Sequence, residues 1–195
     1  VWKCTGEQQL VVKFSHCYSS EAHQLCSEHG YAPPLYDLKD LPGGWKMVTM
    51  GFVDGEQLTT SFGEKQKLCG WTEEVVLLLH NNGFVFGDLR APNILVTAES
   101  FQLIDFDWAG RHQQDRYPIG LNHSEIRWPT DVAGGTFLDK KHDLKMKKKL
   151  IQSIKDQNQR NKRKTKGSVK RKRSNVSTPK KKKRRKKSTN TNTPK

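Results

Sequence analysis

The sequence predicts an α+β domain followed by a strongly basic tail. Short runs of β-branched and aromatic residues, bounded by turn-forming residues, alternate with longer segments of helical periodicity. The charge is unevenly divided. Residues 148–195 hold 21 Lys and Arg and one acid, Asp156, whereas the rest of the chain holds 14 basic and 19 acidic side chains. The mildly acidic part is long enough to bury a core and to fold alone.

A β-hairpin is predicted at the start of the chain. Val1–Cys4 and Gln9–Phe14 have strand-like composition, and Thr5-Gly6-Glu7 supplies the turn. The second strand contains Lys13 between apolar neighbours. On its own, this pattern also fits an ordinary strand lysine whose ammonium group stays in water.

Helices are predicted at about 21–29, 65–80 and 139–150. Ser19 and Ser20 suit the N-cap of the first helix, and Gly30 suits its end. The apolar spacing predicts buried faces on the first two helices, formed by Ala22, Leu25, Cys26 and His29 in the first and by Leu68, Trp71, Val75, Leu78 and Leu79 in the second. Between these helices, Trp45–Met50 is predicted as a strand, and the proline-containing segment 31–41 is interpreted as a connection.

Gly83–Gly110 is the stretch with the strongest functional signal. Its three apolar runs, Phe84–Phe86, Ile94–Val96 and Phe101–Ile104, are predicted strands. The polar residues lie between and after these runs: Asp88, Arg90, Asn93, Asp105 and Asp107. Carboxylates and an amide at strand ends can converge on Mg²⁺, which takes one or two carboxylates together with phosphate oxygens. The alternative is that residues 88–93 form an ordinary turn.

The order and spacing of Asp88-Leu89, Asn93 and Asp105-Phe106 match the H-R-D-L-x-x-x-N and D-F-G motifs. Over roughly Val11 to Asp143, the chain resembles the protein-kinase-like superfamily. It is most similar to the abbreviated fungal kinase-like domains, whose loops read HGDLRxPN and whose metal motif reads DFDWAG.

This resemblance implies a truncated protein-kinase-like two-lobed fold, with a small antiparallel-sheet N-lobe that lacks the glycine-rich loop and an abbreviated helical C-lobe. We expect the domain to cover 1–150, with the N-lobe at about 1–50, the hinge at 50–56 and the C-lobe at 57–150. Residues 151–195 are expected to form a disordered Lys/Arg-rich tail. The chain begins at Val1 and not at Met, which is compatible with a fragment.

The resemblance also implies roles for individual residues, with ATP and Mg²⁺ as cofactors. Asp88 would orient the attacking hydroxyl or accept its proton, and Arg90 would neutralise charge on the transferred group. Asn93 and Asp105 would hold Mg²⁺. Lys13 would bind the α- and β-phosphates, braced by a helix acid, for which Glu21 is the first choice and Glu28 stays open. Asp143 would hydrogen-bond the catalytic loop from below.

The implied function is ATP-dependent phosphoryl transfer to a hydroxyl, most plausibly Ser or Thr of a protein. The sequence departs from the kinase pattern in four places: Gly6 is the one glycine before Lys13, Phe86 stands where the motif has histidine, Asp107 replaces the D-F-G glycine, and no A-P-E follows. These departures keep open an alternative, a catalytically inactive kinase-like module that binds partners.

The basic tail supports a further set of hypotheses. Its clusters Lys162–Arg173 and Lys180–Lys187 are typical of nuclear import signals or nucleic-acid contacts. We therefore expect a nuclear location, or otherwise a cytoplasmic one. Residues 157–195 contain no aromatic side chain, so non-specific nucleic-acid binding would depend on phosphate contacts and on salt. In a third hypothesis this arm is the functional part; the tail could also merely increase solubility.

The four cysteines, Cys4, Cys17, Cys26 and Cys69, show no C-x-x-C spacing. Free thiols are expected in preference to disulfides or a zinc site. No apolar run approaches the ~18 residues that a membrane span requires, so no membrane partner is expected.

Overall fold

The computed structural model describes residues 1–6, 8–59 and 63–156. The chain divides into two units, of which the first, Val1–Gln159, is compact and the second is Arg160–Lys195. The second unit lies outside the described residues, and so do both basic clusters of the tail and its expected disorder.

A four-stranded antiparallel sheet forms the first part of the domain. Its strands are β1 (Trp2–Cys4), β2 (Leu10–Ser15), β3 (Leu35–Leu41) and β4 (Trp45–Gly51), in the order β1-β2-β4-β3. The predicted hairpin is confirmed, and Lys13 lies opposite Val48 on the buried central strand. The interpretation of 31–41 as a connection was wrong from Leu35 onward, because this segment pairs with β4 along its length.

Helix α1 (Ser20–Glu28) follows β2 and begins as predicted. The Ser19 hydroxyl accepts a hydrogen bond from the Ala22 backbone, and Gly30 follows the helix with φ of 74°. The predicted buried face is only partly correct. Ala22 and Cys26 are buried, but His29 is exposed and His23 is fully buried in its place. The face is therefore centred one residue away from the predicted position.

The rest of the domain is built around helix α2 (Lys65–Asn81), which buries Leu68, Trp71, Val75 and Leu79 as predicted. Two small sheets accompany it. One joins β5 (Glu56–Gln57), β7 (Ile94–Val96) and β8 (Phe101–Leu103), and the other joins β6 (Phe84–Val85) to β9 (Gly110–Arg111). The three predicted central strands are confirmed. None of the described helices is long and apolar enough to cross a membrane.

The last described helix, α3, covers 140–156. The expected domain end at 150 was placed too early, because Ile151 and Ile154 continue this helix and are buried in the core. Apolar and lysine residues are mixed along α3, so the sequence does not show where the helix ends. Only packing shows that the apolar side of α3 continues past Leu150.

Asp143 fixes α3 to the segment that follows β6. Its buried carboxylate accepts hydrogen bonds from the backbone nitrogens of Phe86 (2.8 Å) and Gly87 (2.9 Å), and His80 Nε2 lies 3.1 Å away. The predicted contact from below the loop is therefore confirmed. A buried carboxylate requires such partners, since burial without them is costly.

Three packed rings connect α1 to the central stretch. The His23 ring lies parallel to Phe106 at 4.6 Å, and Phe86 meets Phe106 edge-on at 5.3 Å. The carbonyl of Pro33 can only accept, so His23 Nε2 donates to it at 2.8 Å, and Nδ1 accepts from the Tyr18 hydroxyl at 2.7 Å. Burial lowers the pKa of His23 to about 4.

Replacing Asp143 with alanine is expected to lower the free energy of unfolding by about 2–5 kcal/mol, because two buried backbone N–H groups lose their acceptor. Urea denaturation measures this change. The matched control is Asp40→Ala, which removes an exposed carboxylate paired with Lys46 and should stay within about 0.5 kcal/mol of the unaltered protein. Equal effects of the two substitutions would contradict the structural role of Asp143.

The low pKa of His23 predicts acid sensitivity. Between the ordinary value of 6.5 and the folded value of about 4, the unfolded chain takes up a proton that the folded chain excludes. The contribution of His23 to stability is therefore present above pH 6.5 and is lost as the pH falls towards 4, by about 3 kcal/mol in total. Urea denaturation across this pH range should show a shallower loss in His23→Gln than in the unaltered protein, and parallel curves would refute the assignment.

Candidate active site

The loop Gly87–Asn93 holds its polar side chains by internal hydrogen bonds. Asn93 Nδ2 donates to the backbone carbonyl of Asp88 at 2.9 Å and to its carboxylate at 2.7 Å. Both side chains are almost fully buried. Gly87 has φ of 78°, and a Cβ there would lie 2.5 Å from the Trp108 carbonyl oxygen. The loop is therefore a specific, closely packed structure, which argues against an ordinary surface turn.

Arg90 forms a two-point ion pair with Asp88. Its Nε contacts one carboxylate oxygen and its Nη2 lies 2.6 Å from the other. The Asp88 hydrogen bonds, chiefly, raise the pKa of Arg90. Both oxygens of Asp88 are thus engaged. An incoming hydroxyl would have to share the Asp88 carboxylate with Arg90, or displace Arg90 from it.

Asp105 follows β8 and adopts a left-handed backbone with φ of 70°. This conformation costs a non-glycine residue about 1–2 kcal/mol. The backbone nitrogen of Ile104 donates to the Asn93 carbonyl at 2.9 Å, which brings the loop next to Asp105. The Asp105 side chain is 42% exposed, so its carboxylate remains accessible.

Lys13 reaches this segment from the four-stranded sheet. Its Nζ lies 2.6 Å from Asp105 and 2.6 Å from Asp107. The second oxygen of Asp107 accepts a hydrogen bond from Ser15 Oγ at 2.7 Å. Burial, and next the charge of Asp105, raise the pKa of Asp107, while Lys13 and Ser15 oppose this shift. The structure thus brings Lys13, Asp88, Asn93 and Asp105 together; their catalytic roles stay predictions.

The predicted brace between Glu21 and Lys13 is not formed. Glu21 lies in the first turn of α1 on an exposed face and pairs with Arg111 at 2.8 Å. The other candidate, Glu28, accepts instead from Gln24 at 3.0 Å. Since the buried face of α1 belongs to Ala22, His23 and Cys26, neither acid faces the ammonium group of Lys13. In the described part of the chain, Asp105 and Asp107 are the acids that pair with it.

The donor set fits Mg²⁺. Asp105 and Asn93 offer hard oxygen atoms, and the neighbouring carboxylates of Asp105 and Asp107 together favour a nearby cation. Across residues 1–6, 8–59 and 63–156, no cluster of three or more His, Cys, Asp or Glu forms a metal site from the protein alone. Mg²⁺ usually takes one or two carboxylates and leaves the other positions to water and phosphate. Asn93 and Asp105 are the residues that would hold it.

A groove of about 870 Å³ adjoins the loop beyond Arg90. Its lining combines apolar and basic side chains. The lining includes Leu89, Ile126, Met146 and Leu150 on the apolar side and Arg90, Arg127, Lys145, Lys148 and Lys149 on the basic side, against the acids Glu125 and Asp156.

Sequence reasoning missed two members of the cluster around Lys13: Asp107, which pairs with Lys13, and Ser15, which donates to Asp107. Ser15 lies two residues beyond Lys13 on β2, so both side chains are on the same face of the strand. Asp107 was recognised only as a charge next to the metal motif. The alternation of side chains along β2 could have indicated that Ser15 shares a face with Lys13. The side-chain contacts between β2 and the segment after β8 have no local signal in the sequence.

No family model matches the sequence, and no curated protein matches it either. Solved structures with a similar fold are known. The Cydia pomonella granulovirus kinase PK-1 is 15% identical with a TM-score of 0.55, and the likeness covers 76% of this chain and 60% of that one. Vaccinia related kinase 3 is 14% identical with a TM-score of 0.53, covering 74% of this chain and 56% of the other.

The chain therefore spans less than two thirds of the length of either kinase structure. Sequence identity at this level speaks to the fold alone. The observed architecture and the spacing of Asp88, Asn93 and Asp105 agree with the fold of these two kinases. This domain has a protein-kinase-like fold.

Proposed function

We propose that this domain is an ATP-dependent phosphotransferase that transfers the γ-phosphoryl group to Ser or Thr hydroxyls of a protein. The observation that carries the proposal is the pairing of the Lys13 ammonium with the accessible Asp105 carboxylate, next to the loop of Asp88 and Asn93, which the Ile104–Asn93 backbone hydrogen bond joins to this segment. Phosphoryl transfer depends mainly on positioning and on charge neutralisation, and these groups supply both.

Each residue has a role in this proposal. Lys13 binds the α- and β-phosphates, and Asn93 with Asp105 holds the metal. Held there by Asn93 and Asp105, Mg²⁺ would supply positive charge that offsets the charge of the phosphates. Asp88 orients the acceptor hydroxyl and takes its proton. Arg90, which pairs with Asp88 in the structure, turns towards the transferred group and so releases the carboxylate.

We also propose that the domain is of the abbreviated fungal kinase-like type. This rests on the motifs GDLRAPN at Gly87–Asn93 and DFDWAG at Asp105–Gly110. The bounds of the two lobes, the hinge at 50–56 and a nuclear location remain proposals from the sequence. Non-specific nucleic-acid binding through 157–195 is likewise a proposal from the sequence.

The first test is Mg²⁺-dependent transfer of labelled phosphate from ATP to the protein itself and to Ser/Thr peptides. Asp88→Asn and Asp105→Asn should each lower the rate at least about 100-fold, because they remove the proton acceptor and the metal carboxylate. Asp40→Asn, at an exposed site, is the control and should keep the full rate. An unchanged rate in either active-site variant would remove this mechanism.

A second candidate function is that of a binding module without catalysis. It is favoured by Phe86, whose side chain cannot hydrogen-bond where the kinase motif has histidine, and by the engagement of both Asp88 oxygens with Arg90. Thermal unfolding with millimolar Mg-ATP separates the two candidates, since a ligand that binds only the folded state raises its melting temperature. No shift, together with no transfer, would favour the binding module.

The groove beside Arg90 is where we place the acceptor, and its excess of basic side chains suits an acidic peptide. Arg127→Glu with Lys148→Glu should raise the KM for an acidic Ser/Thr peptide about tenfold at low salt, whereas kcat should stay close to its original value. The matched control is Lys39→Glu, on an exposed part of β3. An equal rise in KM for acidic and for neutral peptides would contradict this assignment.

A further inference from the structure

We propose that Asp107, and not a helix glutamate, is the residue that positions Lys13 for nucleotide binding in this domain. The inference rests on the proposed function, because it concerns how the proposed ATP-binding lysine is held. It assigns a task to the one position at which the metal motif carries an acid in place of the D-F-G glycine. Glycine has no side chain that could perform this task.

The contacts of Asp107 bind both of its oxygens to β2. One oxygen lies 2.6 Å from Lys13 Nζ and the other accepts from Ser15 Oγ at 2.7 Å. Lys13 and Ser15 are two residues apart, so their side chains leave the same face of the strand. One carboxylate therefore spans two neighbouring side chains on one sheet face. This arrangement fixes its orientation as well as that of the ammonium group.

Asp105 also contacts Lys13, but it is suited to a different partner. Its side chain is 42% exposed, compared with 22% for Asp107. Asp105 is also the expected metal carboxylate, and a divalent cation competes with an ammonium group for the same oxygens. Asp107, with both oxygens bound by protein groups, keeps Lys13 in place when Asp105 has another ligand.

The backbone ahead of Asp107 is anchored on two sides. Phe106 packs against the rings of His23 and Phe86, and its carbonyl accepts a hydrogen bond from the Ser19 backbone at 3.1 Å. The direction of the next side chain is thereby determined. Glu21, by contrast, is 67% exposed and is held by Arg111. The acid that braces Lys13 has thus been supplied by the metal motif and not by α1.

The decisive measurement is the dissociation constant for Mg-ATP by titration calorimetry. Asp107→Asn keeps the shape of the side chain and removes its charge, and it should weaken binding about tenfold. Ser15→Ala should act in the same direction by about two- to threefold, and it serves where Asp107→Asn folds poorly. Asp107→Glu should recover part of the affinity. Glu21→Gln should change the dissociation constant less than twofold.

A double-mutant cycle distinguishes positioning from general damage. If Asp107 acts through Lys13, adding Asp107→Asn to Lys13→Met should have no further effect on Mg-ATP binding. A further loss in that background would overturn the proposal, as would an equal effect of Glu21→Gln and Asp107→Asn.

A measurement on the ligand-free protein separates this inference from the proposed function. The ¹H–¹⁵N signal of the Lys13 ammonium should be visible by NMR, weaken in Asp107→Asn, which leaves Asp105 as the paired acid, and persist unchanged in Glu21→Gln. Absence of Mg-ATP binding in the unaltered protein would overturn the proposed function and this role with it. Binding that is insensitive to Asp107→Asn would overturn only the role of Asp107.

Discussion

Lys13, on the four-stranded sheet, pairs with Asp105 and Asp107 in the segment after β8. The arrangement of the candidate active site depends on this ion cluster. Asp105 and Asp107 place two carboxylates around one ammonium group, and Lys13 lies 2.6 Å from each. The cluster is only partly exposed, so the surrounding water screens it less than a surface pair. It links two parts of the domain that are far apart in sequence.

The cluster has an apolar counterpart beneath it. Phe106 lies between the two acids in sequence, and its side chain is buried against His23 and Phe86. The left-handed backbone of Asp105 allows the side chains of Asp105 and Asp107 to reach Lys13 while that of Phe106 is buried in the core. Strain of this kind persists where the surroundings hold it in place, as the buried ring and the hydrogen bond from Ser19 do here.

Asp143 performs the corresponding task for the loop of Asp88. Its carboxylate accepts from the backbone nitrogens of Phe86 and of Gly87, the first residue of the loop, so α3 sets the position at which the loop begins. Asn93 then closes the loop on Asp88. The buried side chains of Asp143 and Asn93 therefore define the loop geometry that the proposed chemistry requires. The Arg90–Asp88 pair adds a contact that a bound nucleotide would have to rearrange.

Local patterns in the sequence determined α1, α2, the first hairpin and the three central strands, because caps, helical periodicity and turn residues act over a few neighbours. Motif spacing also selected Asp88, Asn93 and Asp105, and the resemblance to kinases added Lys13 and the contact of Asp143. Tertiary structure alone decided that β3 joins the sheet, that His23 and not His29 is buried, that α3 continues past 150, and that Lys13 pairs with Asp107 while Glu21 pairs with Arg111. These outcomes depend on which surfaces meet across long sequence separations, and no local pattern records that choice.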